Sequence, residues 1–299
     1  MTWLLDPFTL PFMQRALLGG LLAAVMCAVV GTWVVTRGMA FLGEALAHGM
    51  LPGVAVATLA GWPPVLGAAL SAGVMGVGVT ALSRRGRLSH DTGIGLVFAG
   101  MLALGVLIVS RSRSFATDIT AILFGDVLAI RPADLVLLGC ALVALTAISV
   151  ALHRPFVALA FDVRTATTLG LRPDLAQLAL VLLVAGAVVT SYQALGALLV
   201  VALLLAPASA ARQWTHRLAP TMALGAVLGA VAVLAGLLLS WHAGTAGGAS
   251  IAACSVALTG LSVAARSLTD RSSRARPAGR STSARRPTPT PGGPPCTTP

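Results

Sequence analysis

Long apolar segments follow one another through most of this chain, and this pattern constrains its fold more than any other feature. The first begins near residue 15 and the last ends near residue 265, with most charged residues in the gaps. Hydrophobic residues make up 57% of the 299 positions, and charged residues only 10%. A soluble helical protein would instead carry a polar face along each helix. We therefore predict an all-α polytopic membrane protein.

The apolar segments predict eight or nine transmembrane helices. They cover approximately residues 15–36, 44–60, 65–83, 92–110, 133–152, 174–192, 194–211, 219–240 and 250–265. Several are short or interrupted, so the pattern leaves the exact count open. With nine spans the N terminus lies outside the cell, whereas with eight spans one short segment is re-entrant.

The arginines indicate which side of the membrane is cytoplasmic, because cytoplasmic loops carry an excess of basic residues. If the segments alternate, the side that holds Arg37 and the C terminus carries most of them. We expect residues 1–265 to form the transmembrane domain. Residues 266–299, rich in Arg, Ser, Thr and Pro, are expected to form a disordered cytoplasmic tail that is attracted to anionic lipid headgroups.

Composition also argues against two function classes. All 20 basic residues are arginine, so a Walker A loop with its Gly-Lys-Ser/Thr ending is absent, and the chain does not hydrolyse ATP by that route. The net charge of +11 could suggest nucleic-acid binding. However, the arginines flank apolar segments or lie in the tail, which fits membrane orientation better.

The only glutamate in the chain, Glu44, lies four residues before His48 in the second apolar segment. On an α-helix these positions share a face, so the carboxylate and the imidazole can bind one ion. A divalent-metal site generally needs about four ligands. A second copy of the helix across a two-fold axis would supply the other two. We therefore regard Glu44 and His48 as candidate metal ligands.

A purely structural interpretation of this pair remains open. Glu44 could lie at a helix start, stabilised by the helix dipole, with His48 hydrogen-bonded inside the bundle. Against this, an ionisable residue within a bilayer costs roughly 2.5 to 3.5 kcal/mol and usually marks a transport pathway. Pro52 also predicts a helix break just beyond the pair, and such breaks are typical of transport sites.

The surrounding sequence, "TRGMAFLGEALAHGMLPGVAVA", resembles the signature of the membrane-spanning subunits of bacterial ABC importers for zinc, manganese and iron(II). In that signature, Arg-x-Met-Ala-Phe leads into Gly-Asp/Glu-Ala-x-x-His and Leu-Pro-Gly. The resemblance covers about residues 10–265. It continues through "DTGIGLVFAGMLALGVLIVS", "LFGDVLAIRPADL", "FDVRTATTLGL" and "ALGALLVVALLLAPASAAR".

This resemblance implies a permease in the bacterial cell membrane, related in fold to the cobalamin and siderophore importer permeases. Its implied partners are a second copy of itself, cytoplasmic ATPase subunits and an extracytoplasmic metal-binding lipoprotein. The metal is cargo, and no resident cofactor is implied. The family's metal-contacting carboxylate and histidine fall on Glu44 and His48. The family often has Asp at the position of Glu44 and Ser at that of Ala47, so the metal preference stays open.

The segment "LAFDVRTATTLGLRP", residues 159–173, lies between two predicted spans and has the pattern of a short amphipathic helix ended by glycine. An ordinary connecting loop is the alternative. In the resembling family and in the cobalamin and siderophore importers, a similar helix docks on the ATPase. By this resemblance, the candidates for the ATPase contact are Phe161, Asp162, Arg164, Ala166, Leu169 and Gly170.

Other functions remain as alternatives. A permease of the same fold could carry a metal chelate or another solute, and an ion-coupled secondary transporter would work without an ATPase. An intramembrane metalloenzyme is disfavoured because the zinc-hydrolase pattern H-E-x-x-H is absent. Asp126 is a further candidate, on the predicted outer side, for contact with the binding protein or the arriving ion.

Overall fold

The computed structural model of the chain describes residues 6–84, 90–110, 127–161 and 173–274. Short 3-10 helices cover Asp6–Thr9 and Val127–Ala129. The α-helices in these ranges, numbered in chain order, are α1 (Pro11–Thr36), α2 (Ala40–Gly49), α3 (Leu51–Leu59), α4 (Pro64–Arg84), α5 (His90–Ser110), α6 (Pro132–Ala151), α7 (His153–Phe161), α8 (Pro173–Leu195), α9 (Ala197–Arg212), α10 (Leu218–Ala243) and α11 (Gly247–Arg274).

Eight stretches within the described ranges are long and apolar enough to cross a membrane. The helices α2 and α3 together form one of them, Ala40–Leu59. The apolar helix α9 has only 16 residues, whereas a full span needs about 20. The prediction of an all-α protein with eight or nine spans is confirmed for this part of the chain.

The helices α1 and α8 lie at the centre of the bundle. In each, 67% of the membrane-crossing stretch is buried, compared with 17% in α6 and α11. Helix α1 packs against α6, α8, α9 and α10, and α8 also packs against α2 and α4. Helices with apolar residues on every face are typical of such central positions. These two therefore form the frame on which the other helices are arranged.

Glycines bring the backbones of two helix pairs into contact. A Cβ added at Gly31 of α1 would lie 1.9 Å from the Leu204 carbonyl oxygen of α9. Gly53 of α3 and Gly67 of α4 face each other, and a Cβ on either would lie 2.0 or 2.1 Å from the other's carbonyl oxygen. Small residues allow this close packing, which is a main source of helix association in membranes.

The last helix extends beyond the predicted domain boundary. Helix α11 continues to Arg274, nine residues past the boundary at residue 265 that the sequence indicates. The Arg266 guanidinium lies 5.7 Å from the Trp214 ring, and Trp214 Nε1 donates to Ser262 Oγ at 2.8 Å. These contacts hold this part of α11 against the loop between α9 and α10. The rest of the predicted tail, 275–299, lies outside the described residues.

Candidate metal-binding site

A glycine turn sets the position of the helix that carries Glu44 and His48. Gly38, between α1 and α2, has a φ of +67°, a left-handed conformation that glycine adopts without strain. The Met39 amide donates to the Val34 carbonyl at 3.1 Å, which closes the turn. Helix α2 then runs back into the bundle, where it packs against α4, α5, α8 and α9.

The structure brings the two predicted ligands together on the accessible face of α2. His48 Nε2 lies 2.9 Å from Glu44 Oε1, within hydrogen-bond distance. The side chain of Glu44 is 34% exposed and that of His48 is 18% exposed. The other faces of α2 are buried through Leu42, Ala45 and Leu46. The two polar side chains therefore point to the one side of the helix that other helices leave partly uncovered.

The separation of these two atoms suits a shared metal ion. Ligand bonds to first-row divalent ions are about 2.0–2.2 Å long, so adjacent ligand atoms on one ion lie about 3 Å apart. The measured 2.9 Å between Nε2 and Oε1 fits this value. Small side-chain rotations would suffice to turn the hydrogen-bonded pair into two ligands of one ion.

Aromatic rings form one wall beside the pair. The His48 ring centroid lies 6.2 Å from that of Phe98 in α5, with the ring planes tilted by 59°. Phe98 also makes an edge-to-face contact with Phe41, at 5.6 Å and 83°. Phe41 lies three residues before Glu44 and so shares its face of α2. Sequence reasoning missed Phe98, because nothing in its own helix signals a contact with the distant motif.

The helix that carries the pair is interrupted just beyond His48. The helix is interrupted at Met50, and Pro52 lies in the first turn of α3. The Ser71 hydroxyl of α4 donates to the Gly49 carbonyl at 2.8 Å, so a neighbouring helix compensates for the interrupted backbone bonding. The contact between Gly53 and Gly67 then holds α3 directly against α4. These contacts with α4 therefore hold the interrupted helix in place just beyond the break.

The pair would give a metal ion only two ligands, fewer than the four or so that a divalent-metal site generally needs. No group of three or more His, Cys, Asp or Glu side chains that could hold a metal occurs in the described ranges. Met39 Sδ accepts a hydrogen bond from Gln177 Nε2 at 3.4 Å, and Met50 is fully buried. Both methionine side chains are therefore occupied in packing. Glu44 and His48 are the two candidate ligands that this face of α2 presents.

Several predicted site residues cannot be placed. Asp126 lies outside the described residues, as do Asp162, Arg164, Ala166, Leu169 and Gly170 of the predicted coupling segment. Phe161 ends α7, but its side chain is not described. The helices on both sides of the segment are defined, however. Helix α7 ends within its first residues, at Phe161, and α8 begins at its last residue, Pro173.

Comparison with known proteins agrees with this architecture. The chain is 32% identical over 243 residues to the manganese transport system membrane protein MntC of Listeria monocytogenes, covering 80% of this chain and 85% of that protein. It is 33% identical over 240 residues to the chelated iron transport system membrane protein YfeD of Yersinia pestis, covering 79% and 80%. Each similarity extends over far more of the chain than the motif that carries Glu44 and His48.

A solved structure shares the fold. It is that of PsaBC from Streptococcus pneumoniae in complex with a Fab, with a TM-score of 0.76 and 27% sequence identity, covering 87% of this chain and 94% of that one. The model of the ABC 3 transport family matches residues 9–266, which is the whole helical bundle apart from the end of α11. The resemblance indicated by the sequence is confirmed: the chain belongs to the ABC 3 transport family.

Proposed function

We propose that this chain is the permease subunit of an ATP-driven importer for a divalent first-row metal ion, with manganese as the first candidate and iron(II) as the second. The observation that carries the proposal is the 2.9 Å contact between His48 Nε2 and Glu44 Oε1. The pair lies beside a helix break in an otherwise apolar span. An acid and an imidazole at such a place are expected to bind a passing cation.

The donor set supports a hard or borderline ion. Carboxylate and imidazole bind Mn²⁺, Fe²⁺ and Zn²⁺, whereas thiolates would select softer ions and hold them more tightly. The relatives named for manganese and for chelated iron transport support the first two of these ions. Two ligands per chain give weak binding, which suits an ion that must leave on the cytoplasmic side.

The incomplete shell supports a homodimer. Each protomer contributes one carboxylate and one imidazole, so a second copy across a two-fold axis gives four ligands. The partial exposure of Glu44 and His48 leaves them accessible to such a partner. The proposed assembly further includes two cytoplasmic ATPase subunits and an extracytoplasmic metal-binding lipoprotein, in the bacterial cell membrane.

The proposal assigns ATPase docking to the segment that connects α7 and α8. In this scheme residues 159–173 follow the closing ATPase dimer, and the attached helices tilt between outward and inward openings. Phe161, Asp162, Arg164, Ala166, Leu169 and Gly170 remain the contact candidates. We also propose that the tail beyond Arg274 lies on the cytoplasmic side of the membrane, as the docking segment does.

Metal uptake by single variants tests the ligands. In cells lacking their own manganese importers, with the cognate ATPase and binding protein co-expressed, Glu44→Ala and His48→Ala should each lower ⁵⁴Mn²⁺ uptake at least about tenfold, because each removes one ligand of an already small set. His242→Ala is the matched control: His242 lies at the end of α10 and is exposed. Normal uptake by correctly inserted Glu44 and His48 variants would refute the proposal.

A chelate importer is the second candidate, favoured by the name of the Yersinia pestis relative. Uptake measurements in the same cells distinguish a free-ion importer from a chelate importer. A free-ion importer loses uptake when a membrane-impermeant chelator is added in excess, whereas a chelate importer retains or gains uptake with its chelate. An inactivating substitution in the ATPase distinguishes both from an ion-coupled secondary transporter, since only the latter would keep its uptake.

A further inference from the structure

Arg37, just after the end of α1, connects three helices that are distant in sequence. Its Nη1 donates to the Leu159 carbonyl oxygen of α7, and its Nη2 donates to Gln177 Oε1 of α8 at 2.8 Å. Burial lowers the pKa of the Arg37 guanidinium, but an arginine stays protonated at neutral pH. Both contacts are therefore charge-assisted hydrogen bonds, which are stronger than neutral ones.

The two acceptors lie at the two ends of the proposed ATPase-docking segment. Leu159 is in the last turn of α7 and is the first residue of the segment, and Gln177 is in the second turn of α8, four residues after the segment ends. The last four carbonyl groups of a helix have no partner within the helix and attract cations. Arg37 satisfies one of these groups in α7. A single side chain thus ties together the chain entering the segment and the chain leaving it.

The same contacts continue to the helix that carries the candidate metal ligands. Gln177 Nε2 donates to Met39 Sδ at 3.4 Å, and Met39 immediately precedes α2. Gln177 therefore contacts Arg37 through its oxygen and Met39 through its nitrogen. Helix α2 begins at Ala40, and Glu44 follows one turn later. A displacement of α7 and α8 would reach the start of α2 through these two side chains.

We infer that Arg37 is a positioning residue that couples movement of the ATPase-docking segment to the metal-binding helix. This inference rests on the function proposed above for residues 159–173 and for the Glu44–His48 pair. Arg37 holds the ends of α1, α7 and α8 together as one unit, and Gln177 links that unit to α2. Lysine cannot replace it fully, because one ammonium group lacks the rigid fork that reaches two acceptors in fixed directions.

The fold is expected to survive the loss of this side chain. Helix α7 is also held to α1 by the edge contact between Phe156 and Trp33, whose centroids are 5.3 Å apart. Trp33 Nε1 in turn donates to Ser149 Oγ at 2.7 Å. A substitution at Arg37 thus removes its hydrogen bonds to Leu159 of α7 and Gln177 of α8, while α7 keeps a second attachment to α1.

The test is the number of ions transported per ATP hydrolysed. The permease is reconstituted in liposomes with its ATPase and binding protein, and ⁵⁴Mn²⁺ uptake and phosphate release are measured on the same vesicles. Arg37→Met should lower the ratio about tenfold, which is within the usual range of coupling energies, while ATP hydrolysis continues. Arg37→Lys and Gln177→Leu each leave part of the linkage, so smaller decreases are expected.

Arg212→Met is the matched control. Arg212 is an exposed arginine at the end of α9, and its Nη1 donates to Thr36 Oγ1 at 2.9 Å, one residue from Arg37. This variant should transport the wild-type number of ions per ATP. Binding of Mn²⁺ to each assembled complex in detergent is measured in parallel. It should stay within about twofold of wild type for Arg37→Met, because no ligand is removed.

The outcomes separate this inference from the proposed function. If wild-type uptake needs no ATP, the proposed function fails and the inference fails with it. If wild-type uptake is ATP-driven but Arg37→Met keeps its ratio, or loses uptake and hydrolysis in equal proportion, the inference alone is wrong. Should Arg37→Met fail to insert, unchanged ratios in Arg37→Lys and Gln177→Leu would overturn the inference.

Discussion

At the scale of single residues, the candidate site depends on what holds His48 as well as on the ligands themselves. Its Nε2 contacts Glu44 at 2.9 Å, and its ring lies against Phe98. Phe98 in turn contacts Phe41, which lies one turn before Glu44 on α2. An aromatic wall of this kind limits both the rotamers of the imidazole and the water that reaches it. Ligand geometry is therefore set by side chains that bind no metal.

Replacing Phe98 tests this positioning role. Phe98→Ala should raise the KM for Mn²⁺ uptake by about two- to tenfold, because an aromatic pair contributes about 0.5–1.5 kcal/mol beyond its buried area. Phe98→Leu keeps most of the volume and should cost less. Initial uptake rates across a range of Mn²⁺ concentrations give KM separately from the maximal rate. Leu96→Ala, at an exposed position of the same helix, controls for insertion and should leave the KM unchanged.

At the scale of helices, the interrupted second span is held in shape by its contact with α4. Gly53 and Gly67 bring the two backbones together, and the Ser71 hydroxyl satisfies the Gly49 carbonyl beside the break. Both contacts lie on the side of the helix pair that faces α4, whereas Glu44 and His48 are partly exposed. The break can thus remain rigid on one side while ligands stay accessible on the other.

An added methyl group tests the close approach. Gly53→Ala would place its Cβ 2.0 Å from the Gly67 carbonyl oxygen, so α3 and α4 must separate. We expect a loss of about 1–3 kcal/mol in stability, as for other overpacked contacts. Gly73→Ala in α4 is the control, since nothing lies within 4 Å of its Cβ. Thermal unfolding of the two variants in the same detergent measures the difference, and equal midpoints would contradict the packing described.

The features of the fold that could be predicted are those that depend on residues close together in the sequence. The spans, the Glu44–His48 pair and the break near Pro52 are local in sequence, so apolar runs, helical spacing and proline chemistry predict them. The contacts of Phe98 with His48 and of Arg37 with Gln177 join distant segments. No periodicity specifies such contacts. Composition likewise gives no signal for the contacts of Ser262 and Arg266 in α11 with Trp214, because these residues are about 50 positions apart in the sequence.

At the scale of the whole molecule, one chain provides the frame and half of the proposed site. The central helices α1 and α8 support α2 from the inside, and Arg37 and Gln177 join their ends to α7. The two candidate ligands are partly exposed. Within the described ranges a single chain supplies no third His, Cys, Asp or Glu beside them. The proposed metal site therefore requires a second copy of the chain, as the proposed homodimer would provide.

Mixed dimers test whether two copies share one ion. Wild-type and Glu44→Gln chains, each with a different affinity tag, are co-expressed and the mixed dimer is isolated by sequential purification. If four ligands from two chains hold one ion, the wild-type dimer binds one Mn²⁺ per two chains. The mixed dimer then loses most of its uptake, because one missing carboxylate impairs the common site. With equal expression and random pairing, only about a quarter of the unfractionated dimers would keep full activity. Independent sites would instead leave the mixed dimer with half of the wild-type uptake and the wild-type dimer with two bound ions, which would contradict the shared site.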